Sequence, residues 1–319
     1  MKKRIFITGA AGFIGYHLTN FLKVRGDAVL GLDNFNDYYS PQLKFERAQK
    51  LKNLGVDILE GDICDGNKLK KIVAEFAPTH FVHLAAQAGV RYSLTHPDAY
   101  LKANIDGFLQ VLETCRLHAG LKLIYASSSS VYGLNRKAPF SIHDNTDHQA
   151  SLYGVTKKTN ELMAQTYHHL YGIPVTGLRF FTVYGPWGRP DMAYYSFTKS
   201  ILEGKPIDIY NHGKMQRDFT YIDDIVAGIA AAIDLGAKCE LFNLGNNQPE
   251  PLMDLVENLE KLLNKKAIAN FLPMQAGDVL STYADIDYSL EKLKFKPTTS
   301  LKEGLTKFVD WYMGMDKMD

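Results

Sequence analysis

Six short apolar runs recur along the first 180 residues: "RIFITG", "DAVLGLD", "VDILEGD", "HFVHLAA", "LKLIYASS" and "IPVTGLRF". They are rich in Val, Ile, Leu and Phe and nearly continuous rather than alternating. That pattern fits strands covered on both faces, as in a parallel sheet flanked by helices. Helical stretches lie between them, such as residues 14–25 closed by Gly26 and residues 151–171 closed by Gly172. Six such units predict an α/β fold, a Rossmann-like doubly wound parallel sheet. After Arg179 the rhythm breaks. "GPWGRPDMAYY" reads as loop, and the remainder mixes short strands ("PIDIY", "LFNLG") with helices ("PLMDLVENLEKLL", "LKEGLTKFVDWY"). The expected division is a sheet domain over 1–180, with a segment near 220–235 returning to it. Residues 181–319 would mainly form a smaller mixed α/β C-terminal substrate lobe, sharing a cleft with the first.

Charge narrows the partners. The 36 basic and 35 acidic side chains leave a net charge of +1, so no broad electrostatic footprint for nucleic acid or an anionic membrane is expected. Cys64, Cys115 and Cys239 are widely spaced and lack a C-x-x-C pair, which argues against disulfides or zinc and fits a reducing compartment. No stretch approaches the ~20 apolar residues of a membrane helix. Glycines interrupt the apolar part of "MKKRIFITGAAGFIG" too early for a signal peptide. The expectation is a soluble, cytoplasmic protein. Adjacent histidines in "HHLYG" face different directions on a helix, so no metal site is expected there, and Trp187 and Trp311 read as packing.

"FITGAAGFIG" places Gly9, Gly12 and Gly15 where the first strand meets the first helix, with Phe13 and Ile14 opening that helix. Glycine permits the tight turn and lets backbone approach a diphosphate at the helix N-terminus. The spacing is G-x-x-G-x-x-G, and a turn after a strand often holds glycine for no other reason. The context adds weight, because Asp33, followed by Asn34, ends the second strand. A carboxylate there can accept from both ribose hydroxyls of NAD and would repel the 2′-phosphate of NADP; otherwise it is a strand-end turn residue. Asp62 and Ile63 are placed to face the adenine. Leu84, Ala85 and Ala86 end the fourth strand with small side chains where a cofactor must pass, while His83 reads as a core histidine.

"SLYGVTKK" carries Tyr153 and Lys157, four apart and hence on one helix face. Lowering a phenol from ~10 to near 7 takes roughly 4 kcal/mol, which a neighbouring ammonium and a positive nicotinamide ring can supply. The pair alone is common; combined with the glycine turn and the hydroxyl run "YASSSSVYG" upstream it is specific. The combination resembles the extended short-chain dehydrogenase/reductases, in particular the nucleotide-sugar epimerases. "HLAA", "RFFTVYGP", "RDFTYIDD" and "NLGNNQP" carry the resemblance along the whole chain. It implies that Ser128 is the catalytic hydroxyl beside Tyr153, that Arg217 meets a nucleotide diphosphate, and that Asp278 meets the uridine ribose. Gln275 departs from the pattern, since some relatives have arginine there. It also implies a homodimer built from residues 100–118 and 155–171.

The resemblance further bears on the reaction. Dehydratases and decarboxylases of this kind carry an acid in the segment equivalent to "SSSSVYG"; here it holds only hydroxyls, which favours 4-epimerisation with NAD retained and recycled. "DNFNDYYSPQLKFER" and "AGVRYSLTHPDAY" are similar to UDP-glucuronate 4-epimerases, and Thr182 stands where UDP-glucose epimerases have asparagine. Ser129, Ser130, Thr182 and Arg189 would clamp a uronate carboxylate, with Ser128 shared and Arg91 in support. A clamp would also keep the C–CO2 bond of the β-keto acid out of line with the carbonyl. Alternatives are a polar turn with one catalytic serine, a UDP-glucose/UDP-galactose 4-epimerase, a decarboxylating UDP-glucuronate enzyme, and a non-catalytic NAD-binding scaffold. Intact Tyr153, Lys157 and Ser128 speak against the last.

Overall fold

All six apolar runs form strands in the computed structural model, which describes residues 2–275 and 279–315. They are β1 (Arg4–Thr8), β2 (Ala28–Asp33), β3 (Ile58–Glu60), β4 (His80–His83), β5 (Lys122–Ser128) and β6 (Val175–Phe180). Three short strands of the second lobe follow: β7 (Thr182–Tyr184), β8 (Pro206–Ile209) and β9 (Gln216–Tyr221). The chain then returns through the helix Ile222–Leu235, which packs on the helix Phe13–Val24, and adds β10 (Cys239–Leu244).

The main sheet therefore has seven strands in the order β10-β6-β5-β4-β1-β2-β3, every neighbouring pair parallel. This corrects the placement of "LFNLG" in the second lobe. Phe242 and Leu244 are fully buried, and the apolar helix before them delivers the strand to the β6 edge as an ordinary crossover. The strand order reverses between β1 and β4, and an open α/β sheet binds ligands in the crevice at that point.

Two helices shape the site. Ser151 caps the helix Leu152–Tyr171, its hydroxyl accepting from the Gly154 amide, and Gly172 closes it at φ 68°. The segment 100–118 is helical to Arg116 but not regular. A π-helical turn, Leu101–Asp106, separates Pro97–Tyr100 from Gly107–Arg116. The cause is Asn104, whose buried amide trades hydrogen bonds with the Gln87 backbone and donates to Thr156 at 3.0 Å. In the second lobe β9 pairs with β7, Pro249–Pro251 and Ser281–Thr282, while β8 pairs with Ile268–Phe271. Among the described residues no helix is long and apolar enough to cross a membrane.

Candidate active site

A cavity of about 390 Å³ opens over the C-terminal ends of β1, β2 and β4. It is lined by Gly9, Gly12, Phe13, Ile14, Gly15, Asp33, Asn34, Asp62, Ile63, Leu84, Ala85 and Ala86, so every residue expected to hold the dinucleotide meets there. Its glycines are sterically required. Gly9 sits at φ +74°, where a Cβ would lie 2.6 Å from the Ala85 nitrogen, and a Cβ on Gly15 would lie 2.0 Å from the Gly9 carbonyl oxygen. The bare backbone cradle thus fits a diphosphate. Asp33 is buried and accepts from the amides of Ala11 (3.0 Å) and Phe35 (2.9 Å). A carboxylate has about four acceptor positions, so two remain for ribose hydroxyls. Lys44, which the sequence reading missed, also lines this cavity and donates to the Asn36 carbonyl at 2.6 Å. His83 is a core residue: it hydrogen-bonds Thr8 at 2.8 Å, and burial, with Lys157 second, pushes it down to about 3.

Tyr153, Lys157 and Ser128 stand at the inner end of the cavity. Burial raises the Tyr153 phenol; a hydrogen bond with Ser128 and the charge of Arg189 act against that rise. The Lys157 ammonium donates to the Ala126 carbonyl at 2.9 Å, and burial pulls it down to about 8.

A second cavity, of about 500 Å³, adjoins the first, and Tyr38, Ser128, Tyr153 and Arg189 line both. Ser129, Ser130, Thr182, Arg91 and Arg217 surround it. Asp278 lies outside the described residues. Arg91 stacks on the Tyr210 ring at 4.5 Å. Asp218, next to Arg217 in the chain, turns inward: its buried carboxylate accepts from the amides of Asn246, Asn247 and Ala284 and from Thr220. Two features were not foreseen. Arg189 forms a two-pronged ion pair with Asp191, and Asp191 also accepts from the Tyr38 hydroxyl at 3.1 Å. Burial opposes both charges of the pair, but their contact outweighs it, keeping Asp191 low and Arg189 high. The acid two residues after Arg189 was the available signal, hidden in a stretch read only as loop. The serine run is also split: Ser127 borders the cofactor cavity and not the second one, and its hydroxyl donates to Glu161 at 2.7 Å.

A sequence match to the NAD dependent epimerase/dehydratase family spans residues 5–245. The chain belongs to that family. Among its relatives, UDP-glucuronate 4-epimerase 3 of Arabidopsis thaliana is 52% identical over 328 residues, covering 97% of this chain and 76% of the plant protein. Two solved structures overlay it closely. UDP-glucuronic acid 4-epimerase from Bacillus cereus, in complex with UDP-glucuronic acid and NAD, has a TM-score of 0.92 at 37% identity, covering 98% of this chain and 99% of that one. UDP-glucose 4-epimerase from Thermotoga maritima, with UDP-glucose, scores 0.90 at 30% identity, with the same coverage. As in the epimerase/dehydratase family generally, the dinucleotide is NAD, and the glycine cradle with Asp33 is where this chain would hold it.

Proposed function

We propose that the protein interconverts UDP-glucuronate and UDP-galacturonate by inversion at C4 of the sugar, as an NAD-dependent isomerase. One observation carries the choice of a uronate: three hydroxyls (Ser129, Ser130, Thr182) and Arg189 share the cavity that the Tyr153 phenol faces. A neutral hexose would meet those hydroxyls only through neutral hydrogen bonds, and charge-assisted hydrogen bonds are the stronger kind. The names of the relatives agree with this choice.

Tyr153 takes the proton of the C4 hydroxyl, and Ser128 hydrogen-bonds that oxygen. NAD, when bound, supplies the positive ring that takes up the C4 hydride and returns it to the opposite face of the sugar. Lys157 holds a charge at the cofactor side. Ser129, Ser130, Thr182 and Arg189 hold the carboxylate, with Arg91 in support, and Arg217 and Asp278 the nucleotide. In this assignment residues 1–180, with 220–235 and β10, carry NAD, and the rest of 181–319 carries the uridine nucleotide. Among the described residues two carboxylates line the sugar cavity, Asp191 and Asp208. Asp191 is ionised and tied to Arg189 and Tyr38, which leaves it unsuited to donate protons at C5.

The test is direct. Purified protein and UDP-glucuronate, without added NAD, should yield UDP-galacturonate. A pentose nucleotide as the main product, or turnover of UDP-glucose alone, would overturn the assignment. We further propose a homodimer, formed by the apolar outer faces of the π-helical turn with its following helix and of the helix Leu152–Tyr171.

A further inference from the structure

Beneath the serine turn lies a sealed polar group that the reaction above leaves unused. Glu161 accepts from Ser127 Oγ at 2.7 Å and from Arg179 Nε and Nη2 at 2.8 and 2.9 Å. Ser127 and Arg179 are 2% exposed and Glu161 7%. The guanidinium stacks over the Tyr132 ring at 4.8 Å, and Tyr132 donates to Asn243 at 2.6 Å. Ser127, Arg179 and Asn243 are register partners across β5, β6 and β10.

Stability alone is a poor reason for this arrangement. Burying an ion pair costs several kcal/mol per ion, and apolar side chains of equal volume usually do as well. Arg179 Nη1 is moreover a buried donor with no hydrogen-bond partner among the described residues. What the pair does supply is a fixed relation between three segments. Glu161 lies one turn after Lys157 and two after Tyr153 on one helix. Ser127 immediately precedes Ser128, Ser129 and Ser130 on β5 and its turn, and Arg179 stands three residues before Thr182. A single carboxylate thus locks the base helix to β5, which runs into the serine turn, and to β6, which leads through Phe181 to Thr182 at the start of β7.

Building on the uronate reading, we propose that Glu161, with Ser127 and Arg179, is a positioning group that sets the angle of the substrate carboxylate and so suppresses its loss as CO2. Oxidised at C4, the sugar is a β-keto acid. Cleavage of C5–C6 sends that bond's electron pair into the C4 carbonyl as an enolate and releases CO2. Water then protonates C5, leaving a 4-keto pentose nucleotide, while the two electrons taken earlier from C4 stay with the cofactor. Cleavage requires the C5–C6 bond to lie along the carbonyl π system. A carboxylate held by rigid hydroxyls is kept away from that geometry, and hydroxyls on a loosened strand end would let it in.

The test uses the holoenzyme and UDP-glucuronate labelled at the carboxyl carbon, and measures CO2 released per UDP-galacturonate formed. That ratio does not depend on the fraction of protein folded. Ser127→Ala, which leaves the ion pair in place, should raise it about tenfold, and Glu161→Gln further. Calorimetry should show UDP bound as in the parent and UDP-glucuronate bound more weakly. If Glu161→Gln does not fold, Ser127→Ala decides alone. Folded variants with the parental ratio and parental UDP-glucuronate affinity overturn the proposal. A parent enzyme that forms no UDP-galacturonate is a different failure: it overturns the uronate reading, and this proposal with it.

Discussion

Lys157 is a cation held where burial disfavours it, and that has a measurable signature. Its native value of about 8 lies below the ordinary 10.5, a difference of about 3 kcal/mol. Below pH 8 both folded and unfolded chains carry the proton, so the folded state bears the whole burden. Between 8 and 10.5 the unfolded chain binds more protons, so stability rises with pH through that window. Lys157→Met should therefore make the NAD-free protein more stable by about 2 kcal/mol at about pH 6.5, with the gap narrowing by about pH 9.5. Thermal unfolding at the two pH values checks the sign. Epimerisation by the same variant should fall by about 10³-fold, within the range for lost acid–base machinery. The sequence showed that Tyr153 and Lys157 share a helix face. It could not show that the Arg189 charge also bears on the phenol, because that depends on where the loop after β7 comes to rest.

The helix Leu152–Tyr171 approaches the serine turn so closely that its first turn needs a glycine. A Cβ on Gly154 would lie 2.7 Å from the Ser130 carbonyl oxygen and 2.4 Å from Gln149 Oε1. The turn cannot retreat, because Ser127 and Tyr132 anchor it from below. Gly154→Ala should therefore lift the helix start and carry Tyr153 away from Ser128. We expect kcat to fall by about tenfold to 10²-fold, the scale of an ångström's misplacement. The melting temperature should change little, since alanine gains about 1 kcal/mol over glycine within a helix; steady-state kinetics and a thermal melt test the two halves. At this scale the sequence was most legible where one face rule held. Continuous apolar runs marked β1 to β6, and Gly26 and Gly172 marked helix ends. It was least legible where tertiary contact overrides pattern. Asn104 turns an apparently regular helix into a π turn, and "LFNLG", read beside its sequence neighbours, belongs to a strand whose partner, β6, lies some sixty residues earlier.

At the scale of the molecule, the chain crosses between lobes at Phe180, Ile222 and Leu244, and side chains fasten the crossing. Arg47, fully buried, donates to the Ala11 carbonyl in the glycine loop and to the carbonyls of Trp187 and Gly188 in the loop that carries Arg189. His17 adds a hydrogen bond to the Pro186 carbonyl at 2.8 Å. Cofactor cradle and sugar cavity are therefore one mechanical unit, and part of the exposed apolar surface lies on the outer side of the base helix and its neighbour. Leu101 and Leu109 on one segment and Val155 and Leu162 on its neighbour are all more than a third exposed, although their inner faces are packed. Val155 and Leu162 are two turns apart, so they form one stripe. Pairing that stripe with a second copy would bury it and stiffen the helix that carries Tyr153 and Glu161. Sedimentation of the parent protein should then give twice the 35.8 kDa chain mass. Val155→Glu with Leu162→Glu, which places like charges opposite each other in such an interface, should give the single-chain mass and a lower melting temperature. A parent protein that sediments at the single-chain mass at micromolar concentration would rule the dimer out, and the stripe would need another partner.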